Sequence, residues 1–276
     1  MAKVVIDAGH GKFTAGKRCL KSLDKSQTRE WVLNDRVADA LEVYLKSAGH
    51  TVKRVDNTTG LTDVSLSNRV SKANKWKADC YISIHHNAGI HGGDGGGTVV
   101  FVCNNCGSVS KELQNAVYKH AINRGKLKGN RSDGTLASDF YVIKYTDMPA
   151  ILIECGFMDS ATDIEYILDP KWSKKIALGI AQGVCDVFGG EIQETSTKKK
   201  TTKEEEKKVL FKVQVICDDL SIRQGAGTKH AKVGSIKDKG VYSIVRTKKN
   251  GTTTWGELKS GKGWISLGKK YVKKLQ

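Results

Sequence analysis

The sequence predicts a chain in two parts. The first is an α/β domain on a mostly parallel sheet with helices on both faces, and the second is a small all-β barrel domain. Three observations carry this reading. Short β-branched runs alternate with amphipathic helical segments through residue 188, the pattern of a parallel sheet covered on both sides. After Phe188-Gly-Gly190 the composition shifts to a charged stretch without an aromatic residue. Beyond it, short strand-like runs separated by glycine turns recur at regular spacing.

Taken in order, Lys3–Asp7 reads as a strand. Arg29–Ser47 reads as a helix with Trp31, Val37, Leu41 and Leu45 on one face and Gly49 as its stop. Thr51–Val55 is a second strand. Asp63–Trp76 is a second helix, on which Val64, Leu66, Val70 and Ala73 recur at helical spacing. Cys80–Ile84 and Thr98–Val102 are strands and Ser108–Arg124 is a helix. Phe140–Ile143 and Ala150–Ile153 are short strands before a last helix at Trp172–Val187. In the second part Phe211–Ile216, Leu220–Arg223, Gly240–Arg246, Trp255–Leu258 and Lys262–Ser266 read as strands. The expected boundaries are 1–190, a charged tether at 191–208, and 209–276.

The chain carries 46 Lys and Arg against 29 Asp and Glu, a net charge of +17. Residues 1–190 hold 25 basic and 20 acidic residues, whereas 191–276 hold 21 and 9, so +12 of the charge sits in the tail. Such a tail is aimed at something anionic. Nucleic acid, an anionic membrane and an anionic cell wall fit equally well on charge alone. No nucleic-acid module pattern appears, so no nucleic-acid partner is expected. No apolar run approaches the ~20 residues needed to span a bilayer. The N-terminus runs directly into Val4-Val5-Ile6, so no secretory signal is expected. The seven cysteines are odd in number. Cys80, Cys155, Cys185 and Cys217 read as small core residues, and Cys103-Asn-Asn-Cys106 lacks a second pair to complete a metal site. These features point to synthesis in a reducing cytoplasm.

Residues able to do chemistry gather at strand ends. Tyr81-Ile-Ser-Ile-His85-His86-Asn87-Ala88 is a buried run that ends in two histidines and an amide. Lys3-Val-Val-Ile-Asp7-Ala-Gly9-His10-Gly11 has the same form, and its glycines let the backbone approach an ion or substrate closely. If the two strands run parallel, both histidines lie at carboxyl ends, where open α/β sheets bind ligands. Arg29-Glu30-Trp31-Val32-Leu33-Asn34 opens a helix and supplies a carboxylate. Two histidines and one carboxylate are the ligand set of a catalytic zinc that keeps a position open. Met148-Pro-Ala-Ile-Leu-Ile-Glu154-Cys-Gly156-Phe157 ends a buried run in a carboxylate, which is costly unless hydrogen-bonded or beside a charge. Beside such an ion it could take a proton from water and pass it to a leaving amine. The glycine-rich loop Gly89–Gly97 lacks the ending of a phosphate loop and leads to a strand, and its His91 reads as a mobile loop residue.

These stretches resemble the zinc-dependent N-acetylmuramoyl-L-alanine amidases of bacteria and their phages. The likeness covers residues 3–188 and rests on five segments in order: Ile6-Asp-Ala-Gly-His10-Gly; Glu30 with Asn34; Leu66-Ser-Asn-Arg69 with Ala73-Asn74; Ile82-Ser-Ile-His85-His86-Asn87-Ala88; and Pro149-Ala-Ile-Leu-Ile-Glu154-Cys-Gly-Phe157. The resemblance implies one Zn2+ on His10, Glu30 and His85, with Glu154 as the catalytic glutamate. It favours His85 over His86, since the family's ligand directly follows Ser-Ile; strand alternation would turn His86 the other way. Asn87 and Arg69 are expected to bind substrate. In the tail, Leu220-Ser-Ile-Arg223-Gln-Gly225-Ala-Gly227 and Gly263-Trp264-Ile-Ser resemble the bacterial Src-homology-three-like wall-binding domains. Ser221, Ile222, Gln224 and Ala226 depart from that pattern.

The resemblance implies a monomeric peptidoglycan hydrolase. It would cut the amide between N-acetylmuramic acid and L-alanine of the stem peptide, held on a Gram-positive wall by its tail. A wall hydrolase without a leader fits a phage endolysin made in the host cytoplasm. The alternative biology is a mother-cell lysis enzyme or autolysin of a spore former. The alternative chemistries are a zinc peptidase cutting within the stem peptide and a wall-binding protein whose metal is structural.

Overall fold

The computed structural model describes residues 1–130, 132–192 and 209–275. The chain forms two compact units, 1–196 and 197–276. Most of the expected tether, from residue 193 to 208, lies outside the described residues.

The first unit runs β1 (Lys3–Ala8), α1 (Glu30–Ser47), β2 (Thr51–Arg54), α2 (Leu66–Trp76), β3 (Cys80–Asn87), β4 (Val99–Val102), α3 (Ser108–Gly125), β5 (Thr135–Ala137), α4 (Tyr141–Lys144), β6 (Ala150–Phe157), α5 (Ile164–Leu168) and α6 (Pro170–Phe188). Its sheet has the order β2-β1-β3-β6-β4-β5. The first four strands are mutually parallel. β4 is antiparallel to β6, and β5 follows β4. The sheet is therefore mixed, with a reversed pair at one edge.

Strand alternation sends side chains to two cores. Ile6, Ile82, Ile84, Ile151 and Ile153 join α1, α3 and α6 on one face. Val5, Tyr81, Ala150 and Leu152 join α2 and α4 on the other. Burial on both faces explains why these strands read as near-continuous apolar runs. Asp169 accepts from Lys171 N at 2.9 Å and Pro170 opens α6, a standard helix start. A Cβ on Gly183 of α6 would lie 2.5 Å from Val117 Cα of α3, and one on Gly179 would lie 2.5 Å from the His120 carbonyl oxygen. The two helices thus touch backbone to backbone.

Two expected elements of the first unit differ in the structure, and β5 and α5 were not expected at all. Residues 63–65 are not helical: Ser65 caps α2, its Oγ accepting from Asn68 N at 3.4 Å. Residues 141–144 form a helical turn instead of a strand. Adjacent Val142 and Ile143 both join the core on the α2 side of the sheet, whereas strand alternation would send them to opposite faces. Tyr141 and Tyr145 meet at 4.6 Å across one helical turn.

The second unit comprises β7 (Phe211–Val215), β8 (Leu220–Arg223), β9 (Lys232–Ile236), β10 (Val241–Asn250), β11 (Thr253–Leu258), β12 (Trp264–Ser266) and β13 (Val272–Leu275). They form one antiparallel sheet in the order β13-β7-β10-β11-β12-β8-β9. Its core holds Val213, Val215, Ile222, Ile244, Leu258 and Ile265. β9 and β13 were not expected, because Gly234-Ser235 and Lys273-Lys274 interrupt their apolar runs. Among the described residues no helix is long and apolar enough to cross a membrane.

The close α3–α6 contact yields a direct test. Gly183→Ala forces backbone apart and should destabilise the first unit by ~1–3 kcal/mol, read from denaturant unfolding. An unchanged midpoint would mean that the helices are not this close.

Candidate metal centre

The site begins with β1 and β3 leaving the sheet side by side. Ala8 and Ile84 are register partners, and Gly9 N donates to the Ile84 carbonyl at 3.0 Å. His10 follows in the left-handed region, at φ 65°, a conformation few side chains adopt without support. Gly9 is a glycine for a visible reason: a Cβ there would lie 2.1 Å from Cε1 of His85. Glu30, the first residue of α1, reaches between the two rings. Its Oε2 lies 3.3 Å from His10 Nε2 and its Oε1 lies 3.0 Å from His85 Nδ1. The imidazoles stand edge to face with centroids 5.0 Å apart. One donor atom from each of the three residues falls within 4.8 Å of the others, and among the described residues they form the one such group.

Glu30 is only 2% exposed, so its charge needs partners. Burial acts to raise its pKa, but hydrogen bonds from His10 and His85 outweigh it and hold the carboxyl well below the usual range. The same bond works in reverse on His85. Burial opposes the charged imidazole, yet the Glu30 carboxylate raises its pKa. Asn34, one turn along α1, donates to Glu30 Oε1 at 3.4 Å and to the Gly9 carbonyl at 3.1 Å. Its oxygen lies 2.7 Å from Nδ1 of His86. His86 is buried on the α1 side of β3, and burial pushes its pKa down to about 3. It is therefore neutral, and the network assigns its proton to Nδ1. His86 belongs to the support of Glu30 and is not in the ligand cluster. Lys17 approaches Glu30 Oε2 at 4.0 Å and is half exposed; nothing in the sequence singled it out.

Arg69, expected to bind substrate, borders the cleft with its donors engaged inside the fold. Its side chain is 2% exposed, and all five N–H donors are committed within the fold. Nε donates to the Val64 carbonyl at 2.7 Å. Nη1 donates to the Asp7 carboxylate and to the Ala8 carbonyl. Nη2 donates to the His10 carbonyl and to Asp63, both at 3.1 Å. Arg69 thus holds the left-handed turn that presents His10. Asp7 is fixed in turn by Tyr81 Oη at 2.8 Å and Ser83 Oγ at 3.0 Å.

Glu154 sits beside His85 as its register partner on β6. Its Oε2 is buried with no hydrogen-bond partner. Burial pushes the carboxyl up to about 7; Glu30 adds to the rise and His85 opposes it. Asn87 ends β3, half-buried, with its own Oδ1 accepting from Ala88 N at 2.8 Å. A cleft of about 450 Å³ opens over His10 and His85 and is walled by Asp63, Leu66 and Val142. The loop carrying His91 is pinned: Asp159 Oδ2 accepts from Gly89, Ile90 and His91 N–H groups at 2.8, 2.9 and 2.8 Å, and Asp163 Oδ2 accepts from Gly97 N at 2.7 Å. His91 stands outside the ligand cluster.

Residues 4–186 match the N-acetylmuramoyl-L-alanine amidase family. The N-acetylmuramoyl-L-alanine amidase CwlM of Bacillus licheniformis is 30% identical over 188 residues, covering 68% of this chain and 69% of its own length. The endolysin of Bacillus phage SPP1 is 26% identical over 282 residues, covering 99% of this chain and 98% of its own. Among solved structures, the catalytic domain of CwlV, an N-acetylmuramoyl-L-alanine amidase from Bacillus (Paenibacillus) polymyxa var. colistinus, aligns with a TM-score of 0.61 at 28% identity. That alignment covers 69% of this chain and 100% of that domain.

Two outcomes follow from the geometry. Gly9→Ala should displace the His85 ring and weaken zinc binding by at least ~10-fold, as a misplaced ligand does; unchanged affinity in a competition titration would refute the contact. Glu154 gives a pH test on the metal-free protein. Its folded-state pKa of about 7 lies above the ordinary 4.5, so the native state keeps the extra proton between those values. Stability should then fall as pH rises through that window. Glu154→Gln should raise metal-free stability by on the order of 1–2 kcal/mol at about pH 8 and leave it unchanged at about pH 4. Parallel pH profiles of the two proteins would contradict this.

Proposed function

The chain belongs to the N-acetylmuramoyl-L-alanine amidase family, and from that premise we propose that its catalytic centre is a zinc site on His10, Glu30 and His85 with Glu154 as the proton carrier. The protein is a peptidoglycan hydrolase that cleaves the amide between N-acetylmuramic acid and L-alanine of the stem peptide. One observation carries the metal reading. Two imidazole nitrogens and a carboxylate converge within 4.8 Å at the carboxyl ends of parallel strands, beside a buried carboxylate oxygen that has no partner. That donor set suits zinc with a position left open.

When bound, zinc supplies Lewis acidity toward the scissile carbonyl. Glu30 and the two histidines hold the ion, while Asn34 and His86 fix the orientation of Glu30. Glu154 takes the proton of the attacking water and delivers it to the departing amine of L-alanine. Asn87 Nδ2 has no hydrogen-bond partner in the described structure, and it donates to the substrate at the rim.

The second unit is read as a Src-homology-three-like barrel that binds a Gram-positive wall. The match along the whole chain to a phage endolysin supports a lysis enzyme, and we read it as a monomer. A tethered binder would raise the catalytic unit's local concentration at its polymeric substrate.

Glu154→Gln should retain one zinc and the native fold while losing turnover by ~10²–10⁴. His85→Ala should lose zinc and turnover together. Metal analysis beside hydrolysis of purified walls checks both. Full zinc in the His85 variant, or near-normal activity in the Glu154 variant, would reject these roles.

A further inference from the structure

We propose that the second unit binds a linear phosphodiester polymer, with polyol or sugar carbon between its phosphates, in a groove along β7 and β13. The proposal rests on the wall-binding reading of this unit and names the component bound. Two hollows, of about 510 and 690 Å³, meet at Phe211 and Lys274. Together they make an elongated track, which suits a chain rather than a compact ligand. The floor is apolar: Phe211, Val213 and Leu267 line it, and exposed Ile216 and Leu210 extend it at either side. The rim is cationic, with Lys212, Lys269, Lys273 and Lys274, the last lying 4.3 Å over the Phe211 ring.

These lysines have no acidic partner in the described structure. Residues 209–275 contain 15 basic and 4 acidic residues, and every one of the four acids is engaged elsewhere. Asp218 pairs with Lys239, Asp219 with Lys232 and Glu257 with Arg246, while Asp238 accepts from Tyr242. The positive charge along the track is thus left without a neutralising carboxylate. Neither arginine of the unit reaches it: Arg223 donates to the His230 carbonyl and Arg246 is held by Glu257. Arginine grips carboxylate and phosphate alike through its planar fork, whereas lysine acts as a point charge that can bind phosphate without a fixed bidentate geometry. An apolar floor under spaced point charges matches a polymer whose phosphates alternate with carbon. Nucleic acid fits less well, because Phe211 is the one aromatic ring among the described residues lining the track and Lys274 lies where a base would stack on it.

The full chain is titrated at about 0.15 M salt with poly(glycerol phosphate), poly-L-glutamate and single-stranded DNA of matched charge. Poly(glycerol phosphate) should bind about tenfold more tightly than either competitor. Lys273→Gln/Lys274→Gln should weaken that binding about tenfold, the loss of two charged contacts. Lys248→Gln/Lys249→Gln removes equal charge from β10 and should cost less than about twofold. Equal losses in the two variants, or equal affinity for the three polymers, would overturn the proposal. Sedimentation with walls before and after phosphate-polymer extraction separates the two readings. Equal binding to both walls keeps the unit as a wall binder and rejects this groove as its polymer site. Binding to neither rejects both.

Discussion

Glu30 is a buried carboxylate held between two imidazoles, and much of the first unit is arranged around keeping it there. A charge with 2% exposure survives only when paired and hydrogen-bonded. The partners come from three elements: His10 after β1, His85 and the His86 N–H from β3, and Asn34 from α1 itself. Their convergence requires β1 and β3 to be parallel neighbours ending level with one another, which the Ala8–Ile84 register provides. A second buried ion pair, Arg69 with Asp7, lies beneath and locks the His10 turn. The two pairs divide the work. One presents donor atoms to the cleft, and the other fixes the backbone that carries them.

Placing Glu154 next to His85 follows from the same sheet. β3 and β6 pair in parallel register, so two carboxyl ends bring His85, our proposed ligand, and Glu154, our proposed proton carrier, side by side. Burial leaves Glu154 Oε2 without a partner, an arrangement that costs stability and is retained where a reacting group is expected. The loop from β3 then crosses to β4 and is tied by Asp159 and Asp163 from the turn after β6. That loop is therefore fixed to the segment that follows Glu154.

How much of this was legible in the sequence depended on whether the signal was local. His10, Glu30, His85 and Glu154 were readable because each ends an apolar run or opens an amphipathic helix. Their convergence then follows from α/β topology. The role of Arg69 was not readable, since its donors go to acceptors as distant in sequence as Asp7 and to carbonyls that only the folded turn exposes. The pinning of His91 depended on Asp159, 68 residues away. Strand-like Phe140–Ile143 misled because β propensity describes a half-buried surface, and here two adjacent residues are both buried on a helical turn. Gly234-Ser235 in β9 and Lys273-Lys274 in β13 hid these strands for the converse reason: in an antiparallel sheet one face meets solvent and its strands carry polar residues.

The first unit carries the amidase match, and in our proposal the cationic second unit holds the wall. The cut itself bears most directly on the central claim. Purified walls are digested with the metal-replete protein, with the protein stripped by chelator, and with the stripped protein after zinc is restored. Free amino termini and reducing sugar ends are then identified. New alanine amino termini, absent on stripping and restored by zinc, with no new reducing ends, are the predicted result. Amino termini on other stem residues, or digestion indifferent to the chelator, would contradict it.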